Sequence, residues 1–248
     1  MRVLVIGESC NDVYIYGSIN RLAPEAPVPV LQPRITKFVG GMSMNVFQNL
    51  KALGVHISII TNVNWEDITK TRYIDEKTNQ MILRVDAHDS LYGRINLSEV
   101  DWSSYDAVII SDYDKGFVTE QDIQAITSKH SVVFLDTKKV LGEWAQDAKY
   151  IKINNIEYNN TQHTISPQLE QRLIVTLGSE GCRHLQKIYP VPLVGVKDAC
   201  GAGDTFIAAL TYQYMQTKEI DDAIEFANRC ATQVIQKRGT SIINLNTL

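Results

Sequence analysis

The sequence predicts an α/β protein: a doubly wound, mostly parallel sheet flanked by helices, with a small separate β layer. Three observations carry that prediction. Short, near-continuous apolar runs alternate with helical patterns along most of the 248 residues, as strands buried on both faces of a parallel sheet do. Within the first half of the chain, several β-prone segments follow one another with no helix between them. Further on, Asp198-Ala199-Cys200-Gly201-Ala202-Gly203-Asp204 leads directly into the apolar stretch Thr205 to Leu210, a glycine-bearing turn that opens a helix.

Val3 to Ile6 reads as the first strand, since four apolar residues ending at Gly7-Glu8 are too short for a secretory leader. Tyr14 to Tyr16 and Val28 to Ile35 start the separate layer. Met44 to Leu53 has helical spacing and follows the Gly40-Gly41 pair, and His56 to Ile60 returns to the main sheet. Thr71 to Ile74 and Met81 to Val85 then form a hairpin around the polar loop Asp75 to Asn79. Ala107 to Ile110, Val132 to Leu135, Tyr150 to Ile153 and Leu173 to Thr176 continue the main sheet, with Gln121 to Ile126 as a crossover helix. Phe206, Leu210 and Tyr214, then Ala223, Phe226, Ala227, Cys230 and Val234, keep the spacing of two helices packed beside the glycine turn.

One domain over residues 1–248 is the simpler reading of the length, although two small ones would fit. The β-prone segments, about 12–36 and 70–86, are expected to form a lid that keeps water from the site. The alternative is that they extend the edge of the main sheet. No internal repeat or low-complexity stretch interrupts the pattern.

A net charge of -4 with no block of like charges gives no footprint for nucleic acid or an anionic membrane. Small metabolites are the expected partners. Cys10, Cys182, Cys200 and Cys230 lie far apart without a CxxC pair, which suits free thiols and a cytoplasmic location. His56, His88, His130, His163 and His184 are scattered without ligand spacing, so no zinc site is expected. No stretch is long enough to cross a membrane as a helix.

The glycine turn carries the most chemistry. Its N–H groups and the helix dipole favour a phosphate, and Asp204 stands at the mouth of that anion site. A transferring phosphoryl group needs a base within reach of the acceptor hydroxyl, so the arrangement suits phosphoryl transfer. Taken alone, the tetrad suits equally well an ordinary glycine-rich helix start with Asp204 in its first turn.

Several motifs occur in one order along the whole chain: Gly40-Gly41 before Asn45-Val46-x-x-Asn49-Leu50-x-x-Leu53-Gly54, then Ser111-Asp112-Tyr113-x-Lys115-Gly116 and Asp136-x-Lys138. Asn154-x-x-Glu157, Thr176-Leu177-Gly178-x-x-Gly181 and the Asp-x-x-Gly-Ala-Gly-Asp-Thr-Phe turn complete the series. This set resembles the ribokinase/PfkB carbohydrate kinases, and the likeness implies a ribokinase-like fold. Arg21 to Val30 resembles the segment typical of D-glycero-β-D-manno-heptose-7-phosphate kinases, including the kinase half of bifunctional ADP-heptose synthases.

The resemblance implies a role for each motif. Asp204 would be the catalytic base, with the amides around Gly201, Ala202 and Gly203 binding the charge that develops on the phosphoryl group. Asp12, Gly41 and Asn45 would face the sugar, while Lys115 and Lys138 are candidates for a sugar phosphate or the nucleotide phosphates. Thr176, Gly178, Gly181 and Asn228 would border ATP. Asn154 and Glu157 would order Mg²⁺ through water, and Asp198 with Ser241 would lie at a monovalent cation site, K⁺ in several family members. The lid implies a homodimer contact. On residues alone, Asp12 suits a solvated turn, Asn154 to Glu157 a polar helix start, and either lysine a surface position.

Cys200 stands where a helix N-terminus would stabilise a thiolate, but with no histidine nearby it is not expected to act as a nucleophile. Compared with the family pattern, the connectors between Asn62 and Thr71 and between Tyr158 and Leu173 are short, and the Gly41-to-Asn45 spacing differs by one residue. No nucleotidyltransferase signature follows. The sequence thus admits an ATP-dependent heptose 7-phosphate kinase, a kinase of the same family for another sugar or a nucleoside, or a reduced, non-catalytic sugar-phosphate-binding protein.

Overall fold

The computed structural model describes residues 1–248. The chain starts with β1 (Arg2–Gly7) in the main sheet and then crosses into a second sheet through β2 (Ser9–Leu22) and β3 (Pro29–Met42). After α1 (Ser43–Ala52), β4 (His56–Ile60) returns beside β1, and β5 (Thr69–Asp75) and β6 (Met81–Ala87) complete the second sheet. The remainder is α/β: β7 (Ala107–Asp112), α2 (Glu120–Lys129), β8 (Val133–Thr137), β9 (Tyr150–Asn154), α3 (Asn155–Thr161) and α4 (Pro167–Glu170). It closes with β10 (Leu173–Thr176), β11 (Cys182–His184), β12 (Lys187–Tyr189), α5 (Ala202–Thr217) and α6 (Ile220–Val234).

The main sheet has eight strands in the order β12-β11-β10-β9-β8-β7-β1-β4. From β4 to β10 every neighbouring pair is parallel, and β11 and β12 add an antiparallel edge. Val3, Val5, Ile109 and Phe134 bury one face against α1, α5 and α6, while Leu4, Ile6, Ile110 and Leu135 bury the other with α2 and the loops around it. Alternate residues of one strand therefore serve opposite cores, which is why these strands read as continuous apolar runs.

The second sheet is separate, in the order β3-β2-β5-β6, and does not extend the main sheet's edge. Its first two strands are 14 residues each, much longer than the apolar pattern predicts. Their polar residues sit where one flank is exposed, so strand pairing rather than burial holds them. The Gly40-Gly41 pair ahead of the helix stays in β3 opposite Asn11 and Cys10. The helix begins only after Met42, which takes φ 60°.

Register gives this sheet two unlike faces. Asp12, Lys70 and Asp86 lie abreast, as do Tyr14, Arg72 and Arg84, and the two-residue period puts both rows on one face. That face looks toward the main domain, where the Tyr14 hydroxyl meets Thr240. The other face carries Phe38, Val13, Thr71 and Val85 in one row and Ile15, Tyr73 and Leu83 in the next.

Candidate active site

Asp204 lies in the first turn of α5, almost fully buried. The Tyr113 hydroxyl donates to its Oδ1 at 2.6 Å and Asn45 Nδ2 donates to its Oδ2 at 3.0 Å. Asn45 is itself fixed, because its Oδ1 accepts from Asn49 Nδ2 and Asn49 Oδ1 accepts from the Ile243 N–H. Three distant parts of the chain thus aim one carboxylate. Burial pushes the Asp204 carboxyl up to about 6 and Asp136 adds to it, against the Tyr113 and Asn45 hydrogen bonds and the Lys152 charge.

The turn ahead of Asp204 depends on glycine. Gly201 has φ 78°, in the left-handed region, and a Cβ there would lie 2.5 Å from Asn45 Nδ2. The N–H groups of Gly203 and Asp204 have no partner within the protein and open the helix toward a cavity. A Cβ on Gly203 would lie 2.7 Å from Lys152 Nζ, which places that ammonium beside the same turn.

The cavity measures about 220 Å³, and Tyr113, Asp136, Lys138, Lys152, Asn154 and Asp204 are among its lining residues. Lys152 Nζ donates to Asp136 Oδ2 at 2.8 Å, and Asp136 Oδ1 is buried with no hydrogen-bond partner. Lys138 Nζ lies 2.5 Å from Glu157 Oε1 and 4.0 Å from Asp136 Oδ1. Across the glycine turn lies a second, largely apolar cavity of about 320 Å³ that shares Thr176 and Gly203 with the first. Thr176, Gly178, Gly181 and Asn228 all border it, alongside Val194 and Phe206. Asn228 also donates to the Tyr189 carbonyl at 2.9 Å.

For several expected residues the structure decides between the readings the sequence left open. Asn154 and Glu157 form a reciprocal capping box on α3, with Asn154 N–H to Glu157 Oε2 at 2.7 Å and Glu157 N–H to Asn154 Oδ1 at 2.9 Å. The polar helix start is therefore real, and it sits at the cavity's edge. Magnesium favours one or two carboxylates and retained water, and the unpartnered Asp136 Oδ1 beside Asn154 and Glu157 fits that preference. Asp12 is no solvated turn residue: it is buried in β2, paired with Arg72 Nη1 at 2.6 Å, and a Cβ on Gly41 would touch its carboxylate.

The two lysines part company. Lys138 belongs to the Asp136 and Glu157 side, so it stands away from Asp12, whereas Lys115 reaches Asp89 at 2.6 Å. The Asp198 carboxylate accepts from the Cys200 N–H, and Ser241 donates to the Gly239 carbonyl and lines another cleft with Phe38 and Gln48. Cys200 accepts from Arg72 Nη2 at 3.4 Å.

Sequence reasoning passed over Tyr113, Asp136, Lys152 and Arg72 as site residues. For Lys152 the signal was a lone lysine in the apolar run Tyr150 to Ile153, and for Arg72 a lone arginine in the β-prone run Thr71 to Ile74. A buried cation needs an anion, and each has one. Tyr113 and Asp136 stood inside quoted motifs with no role given to them.

A carboxylate buried at a glycine-opened helix start, facing an acidic and cationic cavity with an apolar one beside it, suits a phosphotransferase that acts on an alcohol group. Residues 94–247 match the pfkB family carbohydrate kinases, and the chain belongs to that family. It is 31% identical over 296 aligned positions to the bifunctional protein HldE of a Nitratiruptor species, with 100% of this chain and 64% of that protein covered. The HldE of Helicobacter acinonychis (strain Sheeba) is also 31% identical, over 304 positions, with 100% and 65% covered. The chain thus spans a little under two thirds of these relatives' length, and the alignments exceed its 248 residues because the relatives carry segments it lacks. Among solved structures, ribokinase from Thermotoga maritima matches with TM-score 0.69 at 14% identity, covering 98% of this chain and 96% of that one. Phosphofructokinase-2 from Escherichia coli in complex with substrates and products matches with TM-score 0.72 at 15% identity, covering 99% and 96%. These two likenesses concern the fold.

Proposed function

We propose that the protein is an ATP-dependent kinase that phosphorylates the anomeric hydroxyl of heptose 7-phosphate, giving the 1,7-bisphosphate. The observation that carries this reading is Asp204, a buried carboxylate held by Tyr113 and Asn45 next to the free N–H groups of the helix start. The Arg21 to Val30 segment and the relatives named bifunctional protein HldE support the choice of heptose.

In this reading Asp204 takes the proton of the sugar hydroxyl as its oxygen forms a bond to the γ-phosphorus. The bond from that phosphorus to the bridging β,γ oxygen breaks, and ADP leaves. The Gly203 and Asp204 N–H groups and the Lys152 ammonium hold the negative charge of the transferring group. The apolar cavity takes the adenosine, and Asn45 and Asp12 hold sugar hydroxyls. Magnesium, held by Asp136, Asn154 and Glu157 partly through water, would neutralise phosphate charge. A coupled ADP-release assay tests the reading: release with heptose 7-phosphate is expected, and activity confined to an unphosphorylated hexose would overturn the assignment.

A further inference from the structure

The inner face of the second sheet holds a cluster outside the phosphoryl-transfer cavity. Lys70 Nζ donates to Asp89 Oδ1 at 2.5 Å, Lys115 Nζ to Asp89 Oδ2 at 2.6 Å, and the Tyr92 hydroxyl to Asp89 Oδ1 at 2.8 Å. Two ammonium groups and a hydroxyl, from three separate segments, converge on one carboxylate. The acceptor is placed differently from two of its donors: the Lys70 side chain is 11% exposed and Tyr92 is in the core, whereas Asp89 sits in a turn after β6 that follows His88 at φ 59°. Burial pushes the Asp89 carboxyl up, but the Lys115, Lys70 and Tyr92 contacts outweigh it and hold the group at about 2. It is therefore an anion at any working pH.

Position links this cluster to the reaction. Lys115 lies two residues beyond Tyr113 on the loop after β7, and Tyr113 holds Asp204. Lys70 lies abreast of Asp12 on the sheet's inner face. A single acceptor spanning from Asp204 past Asp12 would therefore bring its far end to Lys70 and Lys115. Compact ammonium groups on flexible stems suit a phosphate as point charges, and a phosphate offers the same oxygen acceptors as a carboxylate with more charge.

We propose that Lys70, Lys115 and the Tyr92 hydroxyl form the site for a phosphomonoester at the far end of the acceptor sugar, and that the Asp89 carboxylate fills it as a stand-in until the acceptor displaces it. The site deepens the kinase reading given above and rests on it for the sugar, though not for the anion. Asp89 also has a consequence for selectivity. An unphosphorylated sugar cannot displace the carboxylate, so the two lysines stay paired with it, Lys70 having Asp86 at 3.6 Å as well.

The test uses sugar monophosphates paired with their parent sugars, heptose 7-phosphate among them, read as ADP release. It adds isothermal titration of inorganic phosphate into the full-length protein. The wild type is expected to prefer the phosphorylated member of a pair, and Lys115→Met to lower that preference in kcat/KM by roughly tenfold or more, as loss of a charge-assisted hydrogen bond would. Lys70→Met should act in the same direction. Asp89→Asn should lower KM for the phosphorylated sugar and tighten phosphate binding. Lys115, partly exposed, is the variant least apt to disturb folding. Turnover of heptose 7-phosphate with a preference that Lys115→Met leaves intact overturns this site and keeps the heptose assignment. Turnover of a different sugar phosphate, with the preference lost in Lys115→Met, keeps the site and overturns heptose. If no sugar is turned over, the titration decides: phosphate binding that Lys115→Met abolishes supports the site, and binding absent or unchanged overturns it.

Discussion

Asp204 has its two carboxylate oxygens held by two neutral donors, Tyr113 and Asn45. As a base it must be ionised, and its carboxyl sits at about 6 in the free protein. The sign follows: kcat/KM for the sugar should be flat above that pH and fall about tenfold per unit below it. Tyr113→Phe removes a hydrogen bond that favours the ionised form, so the acid limb should move to higher pH. A pH profile of ADP release checks both, and an unmoved limb would mean that Tyr113 does not govern the proton. Asp204→Asn should remove most of the rate while leaving nucleotide binding intact, checked by activity beside a binding titration. Asp204 and Asn45 were legible in the sequence because each falls in an ordered motif, and Asp12 because the family resemblance implies a residue facing the sugar there. The partners of Asp204 and Asp12 were not: Tyr113 and Arg72 come from other strands or loops, 91 and 60 residues away, and sequence spacing does not report such contacts.

At the scale of elements, α3 begins with a capping box whose Asn154 also lines the cavity beside Asp204. Its two tasks separate by substitution. Glu157→Gln keeps a side chain that can accept from the Asn154 N–H, as glutamine does in capping boxes, so stability should change by less than about 0.5 kcal/mol. It removes the charge that faces Lys138, and the magnesium concentration needed for half-maximal rate should rise. Asn154→Ala should instead cost about 1 kcal/mol through the lost cap, seen as a lower melting temperature. Thermal unfolding and magnesium titration of the two variants check the pair, and a Glu157→Gln protein with unchanged magnesium dependence would leave the cap as the motif's sole task. The parallel strands were legible because burial on both faces leaves a continuous apolar mark. The length of β2 and β3 was not, since Ser18 and Lys37 fall outside the β-prone runs Tyr14 to Tyr16 and Val28 to Ile35, while pairing keeps them in strands.

For the whole molecule, the second sheet raises the question of what covers its outer face. Phe38, Leu83 and Val85 are well exposed there, and both β3 and β6 are free edges. Exposed apolar sheet surface with open edges is unusual on a monomer. The family resemblance implies a dimer contact through this same sheet, and Val28, at the far end of the β2 and β3 pair, is exposed as well. A second copy is the natural occupant, because a two-fold axis lets one patch cover itself. Light scattering should then give twice the 27.9 kDa of the chain, and Leu83→Glu should return a monomer with little loss of stability, since the substituted side chain is solvent-facing in the single chain. A wild-type monomer at working concentration would remove the dimer. In the proposed function the inner face of the same sheet presents Asp12, Arg72, Lys70 and the Tyr92 cluster to the sugar, so covering the outer face would steady the inner one. The monomeric variant should therefore show a raised KM for the sugar while its KM for ATP stays near that of the wild type, because the apolar cavity is lined from β10, α5, α6 and the segment before α5 and by no residue of the second sheet.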